Sequence, residues 1–103
     1  MRTLSYLHDM IFDFDKTKNE ILLSEREVSF EMVIEIIAEK GVLANIRHPN
    51  PEKYPNQFMF IVEMHNYTYC VPYVIDGDTI FLKTIFPNRN YLFLLQENDN
   101  EEN

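Results

Sequence analysis

The chain has 103 residues, enough for one domain and too few for two, and 46% of them are apolar, enough for one modest core without staples. A formal charge of −8 argues against a free, promiscuous nucleic-acid binder, whose affinity rests on cations set against phosphates. The single cysteine, Cys70, excludes a disulfide framework, and no segment has the apolar length to span a bilayer; the composition predicts a soluble, cytoplasmic protein with no membrane partner.

The charge is unevenly spread. The last eight residues, QENDNEEN, hold four acids and no base, and read as an acidic, disordered tail over 96–103. Between Thr79 and Gln96 there is no acid at all, while Lys83 and Arg89 both fall there. A local cationic site is therefore compatible with an acidic chain.

Residues 1–11 read as an N-terminal extension and 12–95 as a single domain. Across their junction, Ile11-Phe12-Asp13-Phe14-Asp15 alternates apolar and acidic, the pattern of a short strand with one buried face. Asp13 or Asp15 can cap a helix over residues 16–26, which has only Ile21, Leu22 and Leu23 to bury and should be short and peripheral. The second helix is better marked. Ser29 suits its N-cap, and Phe30, Val33, Ile34, Ile37 and Ala38 recur at helical spacing, with Glu31, Glu35 and Glu39 on a separate row. Val28 and Val33 have the spacing of a hydrophobic staple, and Gly41 stands where a left-handed residue ends a helix.

Residues 42–57 read as a connector kept irregular by Pro49, Pro51 and Pro55. It gathers Arg47, His48, Lys53 and Tyr54 on a stiffened loop. Such a loop can simply solvate its own charges, but rigid polar loops also carry function.

From Phe58 to Phe86 the chain reads as three strands of an antiparallel meander, broken at His65-Asn66 and at Asp76-Gly77-Asp78. A two-residue loop at His65-Asn66 sets Met64 against Tyr67, Val62 against Tyr69 and Phe60 against Val71. One face then carries Met59, Ile61, Thr68, Cys70 and Val74; the other carries Phe60, Val62, Tyr67, Tyr69 and Tyr73. A three-residue loop at Asp76–Asp78 would put Lys83 on the tyrosine face, and a two-residue loop would flip it. The former is the expectation, with helices over the aliphatic face and the tyrosine face left to work. Pro72 cannot donate to a ladder and predicts a bulge or a lapse in pairing. Pro87-Asn88-Arg89-Asn90 reads as a turn, and Tyr91 to Leu95 as a last strand or a helical turn. The class predicted is α+β, two N-terminal helices on a small antiparallel meander sheet.

No metal-ligand spacing links His8, His48, His65 and Cys70, and no Gly-rich phosphate loop is present, so neither metal nor cofactor is expected. Cys70 reads as a small buried residue. The tyrosine row is half-buried packing or a base-stacking platform with Tyr69 in it. His48, Lys53, Tyr54, Lys83 and Arg89 together suit metal-free RNA cleavage, in which cations steady a charged phosphorane while a His or Tyr moves protons.

The order FDFDKTKNEILLSEREVSFEMV, HPNPEKYPNQ, YCVPYV, IFLKTIFPNR resembles the BrnT-like toxins, small relatives of the RelE/ParE group from bacterial type II toxin–antitoxin operons. The likeness runs from about Phe12 to Arg89. Its most telling pieces are Asp15, Lys18 and Asn19, the Val28-Ser29-Phe30-Glu31 helix start, and Lys83-Thr84-Ile85 leading to Pro87-Asn88-Arg89. The resemblance implies a ribonuclease that arrests translation. It also implies a cognate antitoxin with a ribbon–helix–helix part, and operator DNA bound only through the complex. Carried over residue by residue, it implies His48, Lys83 and Arg89 as catalytic, with Lys53 and Tyr54 binding RNA; Tyr69, from the tyrosine row, is a further RNA-binding candidate. Relatives continue past this Arg with further basic residues, whereas here Asn90-Tyr91-Leu92-Phe93-Leu94-Leu95 and the acidic tail follow. The alternative is a non-catalytic module of the same fold that acts through antitoxin binding and complex assembly.

Overall fold

A computed structural model of the chain describes residues 11–95. The expectations for the first ten residues and for the acidic tail lie outside the described residues. Strand β1 (Ile11–Phe14) runs through Asp15 into α1 (Lys16–Arg26), and α2 (Phe30–Glu39) follows at once. The caps are local chemistry. The Asp15 carboxylate accepts the Lys18 N–H at 3.0 Å, and Ser29 Oγ accepts the Met32 N–H at 3.2 Å. Val28 and Val33, the two staple residues, are fully buried. At the far end Gly41 takes φ +85° and its N–H donates to the Ile37 carbonyl at 3.1 Å, closing α2.

The two helices bury very different amounts. Helix α1 buries only Leu22, while Ile21 and Leu23 are exposed. Helix α2 buries Phe30, Val33 and Ile37 and lies against the sheet, each such side chain contributing roughly 1.5–3 kcal/mol. Asn19 ties the pair together: its Oδ1 accepts the Phe30 N–H and its Nδ2 donates to Glu31, both at 2.7 Å.

The sheet has six strands, in the order β1-β5-β4-β3-β2 with β6 also on β4; the further strands are β2 (Ala44–Arg47), β3 (Gln57–Met64), β4 (Tyr67–Asp76), β5 (Thr79–Leu82) and β6 (Phe86–Pro87). It is a mixed sheet. The meander β3-β4-β5 is antiparallel as expected, but β1 joins the edge of β5 in parallel. The first hairpin has the expected register, with Met64 opposite Tyr67, Val62 opposite Tyr69 and Phe60 opposite Val71. His65 and Asn66 both hold positive φ, which matches the twist of the strands they join.

Three expectations are corrected. The connector contains β2, which pairs antiparallel with β3 from Ala44↔Ile61 to Arg47↔Phe58. The prolines all follow Arg47, so nothing prevents the alternating Ala44-Asn45-Ile46-Arg47 from pairing. Second, Asp76 pairs with Thr79, so the β4–β5 loop is the two residues Gly77-Asp78. That sets Leu82 against Tyr73 and puts Lys83, opposite Pro72, on the face away from the tyrosines.

Third, the helices cover the tyrosine face. The core joins Leu22, Phe30, Val33 and Ile37 to Phe60, Val62, Val71, Tyr73 and Leu82. Phe60 and Tyr73 stack at 4.1 Å between ring centres, and the Tyr73 hydroxyl donates to Asn45 Oδ1 at 2.8 Å. Both faces are apolar, so hydrophobicity alone did not choose between them.

Pro72 behaves as its chemistry requires, with the lapse on the strand beside it. Strand β4 itself is continuous, but β5 ends at Leu82 and pairing resumes at Phe86↔Cys70. Lys83, Thr84 and Ile85 thus oppose Val71 and Pro72, one residue more on their side: a β-bulge.

Candidate functional site

The proline loop after β2 is built around Asn50. Its N–H donates to His48 Nδ1 at 3.0 Å, its carbonyl accepts the Tyr54 N–H at 3.0 Å, and its Oδ1 accepts the Lys53 N–H at 3.3 Å. One residue therefore sets the place of three side chains. The His48 and Tyr54 rings meet at 4.3 Å, and Lys53 Nζ lies 5.5 Å from the Tyr54 ring centre. Because Nδ1 accepts a hydrogen bond, a neutral His48 carries its proton on Nε2. The imidazole offers a donor there, not a lone pair.

His48 also continues the ladder, its N–H donating to the Gln57 carbonyl at 3.0 Å. Strand alternation sets it on the face away from the helices, with Gln57, Met59, Pro72, Val74 and Phe81. Lys83 belongs to that same face, and it is exposed. Between the two lie β3 and β4, about 14 Å or three strand spacings, and Lys83 lies two residues beyond Phe81, the residue level with His48, so their backbones are about 16 Å apart.

Arg89 opens a 3₁₀ turn, Arg89–Tyr91, capped by Asn88, whose Oδ1 accepts the Asn90 N–H at 2.9 Å. Asn88 is level with Thr68: its N–H donates to the Thr68 carbonyl at 3.0 Å, and Thr68 Oγ1 returns a bond to the Asn88 carbonyl at 2.6 Å. Lys83 is level with Pro72. Four residues of β4 separate those levels, about 13 Å along the strand. Tyr69 faces the helix side, half-buried, with the His65 ring at 6.2 Å and the Tyr67 ring at 6.3 Å.

The structure thus brings His48, Lys53 and Tyr54 together, sets Lys83 on the same face at a distance, and leaves Arg89 further along. Tyr69 lies on the other face. Two residues escaped the sequence reading. Asn50 was signalled only by its place between two prolines, after His48. Arg26 had no local signal: its guanidinium donates to the Ile85 carbonyl, 59 residues away, at 2.6 Å.

Two buried groups are poor candidates for chemistry. Burial pushes the Cys70 thiol up, only partly offset by Asn88, and burial likewise raises the Tyr73 phenol against the opposing bond to Asn45. A shallow groove of about 270 Å³, lined by Met32, Ile36, Lys40, Glu63, Met64, His65 and Asn66, lies at the hairpin tip beside α2. It contains none of the candidate residues. Among the described residues no group of three His, Cys, Asp or Glu side chains could hold a metal ion, and no helix is long and apolar enough to cross a membrane.

Comparison with protein-family models, with curated proteins and with solved structures gave no match for the chain.

Proposed function

We propose that the chain is the toxin of a type II toxin–antitoxin pair, a metal-independent endoribonuclease that blocks translation in the cytoplasm by cutting RNA. The observation that carries this reading is the shared sheet face of His48 and Lys83, one on a proline-stiffened loop and the other beside a bulge, with Tyr54 against His48 and Lys53 beside the Tyr54 ring. Cations spaced over that face suit a single strand of RNA laid across it, each meeting its own phosphate. Lys83 steadies the scissile phosphate as the 2′ oxygen attacks phosphorus and the 5′ oxygen departs. His48, with its proton on Nε2, hydrogen-bonds to the RNA beside it, while the 2′-hydroxyl proton passes to solvent and the departing 5′ oxygen takes its proton from solvent. Arg89 and Lys53 hold flanking phosphates. A cognate ribbon–helix–helix antitoxin neutralises the toxin and carries the complex to operator DNA.

The test is induced expression, following growth and RNA integrity, with and without the adjoining gene. Wild type should arrest growth and fragment RNA, and co-expression of the antitoxin should relieve both. Lys83→Ala and Arg89→Ala should be harmless while still binding the antitoxin.

One observation favours a second reading. Met59, Pro72, Val74 and Phe81 form a half-buried apolar strip between His48 and Lys83, which would suit a protein partner. On that reading the chain is a non-catalytic module acting through complex assembly. Wild type would then be harmless, with intact RNA, and would still bind the antitoxin.

A further inference from the structure

Lys83 sits at the start of an arch whose two ends are held differently. At one end its own N–H donates to the Pro72 carbonyl at 2.8 Å. An antiparallel pair of this kind normally exchanges two bonds, but residue 72 is proline and has no N–H to give back to the Lys83 carbonyl. At the other end the Ile85 carbonyl, between β5 and β6, has no backbone partner among the described residues. Arg26, in the last turn of α1, takes that carbonyl with its guanidinium at 2.6 Å. Thr84 lies between.

We propose that Arg26 is a positioning residue for Lys83. By holding the far end of the arch, its guanidinium fixes the backbone from which the ammonium reaches the helix-free face. This deepens the ribonuclease reading, and its importance for RNA rests on that reading; the clasp itself does not. A charge-assisted bond to a partly buried carbonyl is the kind that carries weight, because without it the carbonyl has no ladder partner. Lysine in place of arginine supplies a donor but no planar fork, and should restore part of the effect.

The experiment has two arms, run on the full chain as wild type, Arg26→Ala, Arg26→Lys, Lys83→Ala and the Arg26→Ala/Lys83→Ala double variant. The first arm reads amide hydrogen exchange. In Arg26→Ala the Lys83 N–H should exchange about tenfold faster or more, the loss expected for one such bond, while Ile61 and Val71 keep their protection and report an intact fold. Arg26→Lys should fall between Arg26→Ala and wild type. Unchanged protection of Lys83 in Arg26→Ala would overturn the proposal. The second arm measures binding of a fluorescent single-stranded RNA. Arg26→Ala should lose affinity in the same sense as Lys83→Ala, and the double variant should lose no more than Lys83→Ala alone. Additive losses would mean that Arg26 acts by its own charge, and would also overturn it. If wild type binds no RNA, the ribonuclease reading fails, and the exchange arm still decides whether Arg26 fixes Lys83.

Discussion

Lys83 stands opposite Pro72 and is bound to it by one hydrogen bond where a ladder would make two. The amide of Lys83 is held at 2.8 Å, while its carbonyl faces a ring nitrogen with no hydrogen. The pairing lapses there, one extra residue enters the strand, and Lys83 is left exposed at the edge of a bulge. A proline in one strand has shaped the site in the next.

If Lys83 meets a phosphate, its loss should be read most clearly against salt. Lys83→Ala should weaken RNA binding for every sequence alike. It should also reduce the slope of log affinity against log salt by about 0.7, the share of one phosphate contact on a single strand. Binding isotherms at several salt concentrations measure this. An unchanged slope would remove Lys83 from the RNA contacts.

The hydrogen bond from Asn50 to His48 Nδ1 assigns the ring its role. Glutamine places an amide near the Nε2 position and asparagine near Nδ1. If the Nε2 donor is what RNA meets, His48→Gln should retain more affinity than His48→Asn. Nitrogen NMR of neutral His48 should show the Nε2–H tautomer. The opposite tautomer would make it an acceptor and reverse its role.

Stability should depend on pH through Glu31. Its carboxyl is held below the usual value first by the hydrogen bond from Asn19, with smaller help from its own backbone N–H and from Ser29, against a desolvation that raises it. The folded-state value is the lower one, so this stabilisation is complete above the unfolded value of about 4.3 and is lost as pH falls through the folded value. Urea unfolding of Glu31→Gln should lack that acid-side loss. Asn19→Ala should lack it too and, by also orphaning the Phe30 N–H, should cost about 1–2 kcal/mol at neutral pH.

Neighbouring leucines on α1 should behave oppositely. Leu22 is 2% exposed and Leu23 is 54% exposed. Leu22→Ala should cost about 2–5 kcal/mol, since it leaves a cavity among Val28, Phe30 and the sheet. Leu23→Ala should stay within about 0.5 kcal/mol of wild type. Denaturant midpoints of the two variants give the comparison directly.

Much of this was legible in advance, and the reasons are local. The positive φ of His65 and Asn66, in a loop only two residues long, left one register for the first hairpin. Ser29 and Gly41 bounded α2 because cap chemistry acts within one helical turn. The second turn was less constrained. Gly77 supplies the left-handed residue to a two- or a three-residue loop alike, and the difference of one residue moves Lys83 across the sheet. Strand β2 is only four residues long and runs straight into the proline loop, so the local sequence does not separate it from the connector.

By itself the sequence determined the α+β class, the helix caps, the hairpin register and the residues that carry charge near the sheet, since each depends on chain geometry over a few positions. Tertiary structure alone decided which of two apolar faces the helices cover. It also decided that His48 and Lys83 share the other face, and that Arg26 reaches the Ile85 carbonyl. Those outcomes depend on contacts between residues tens of positions apart, and no local preference for turn, cap or period distinguishes among them.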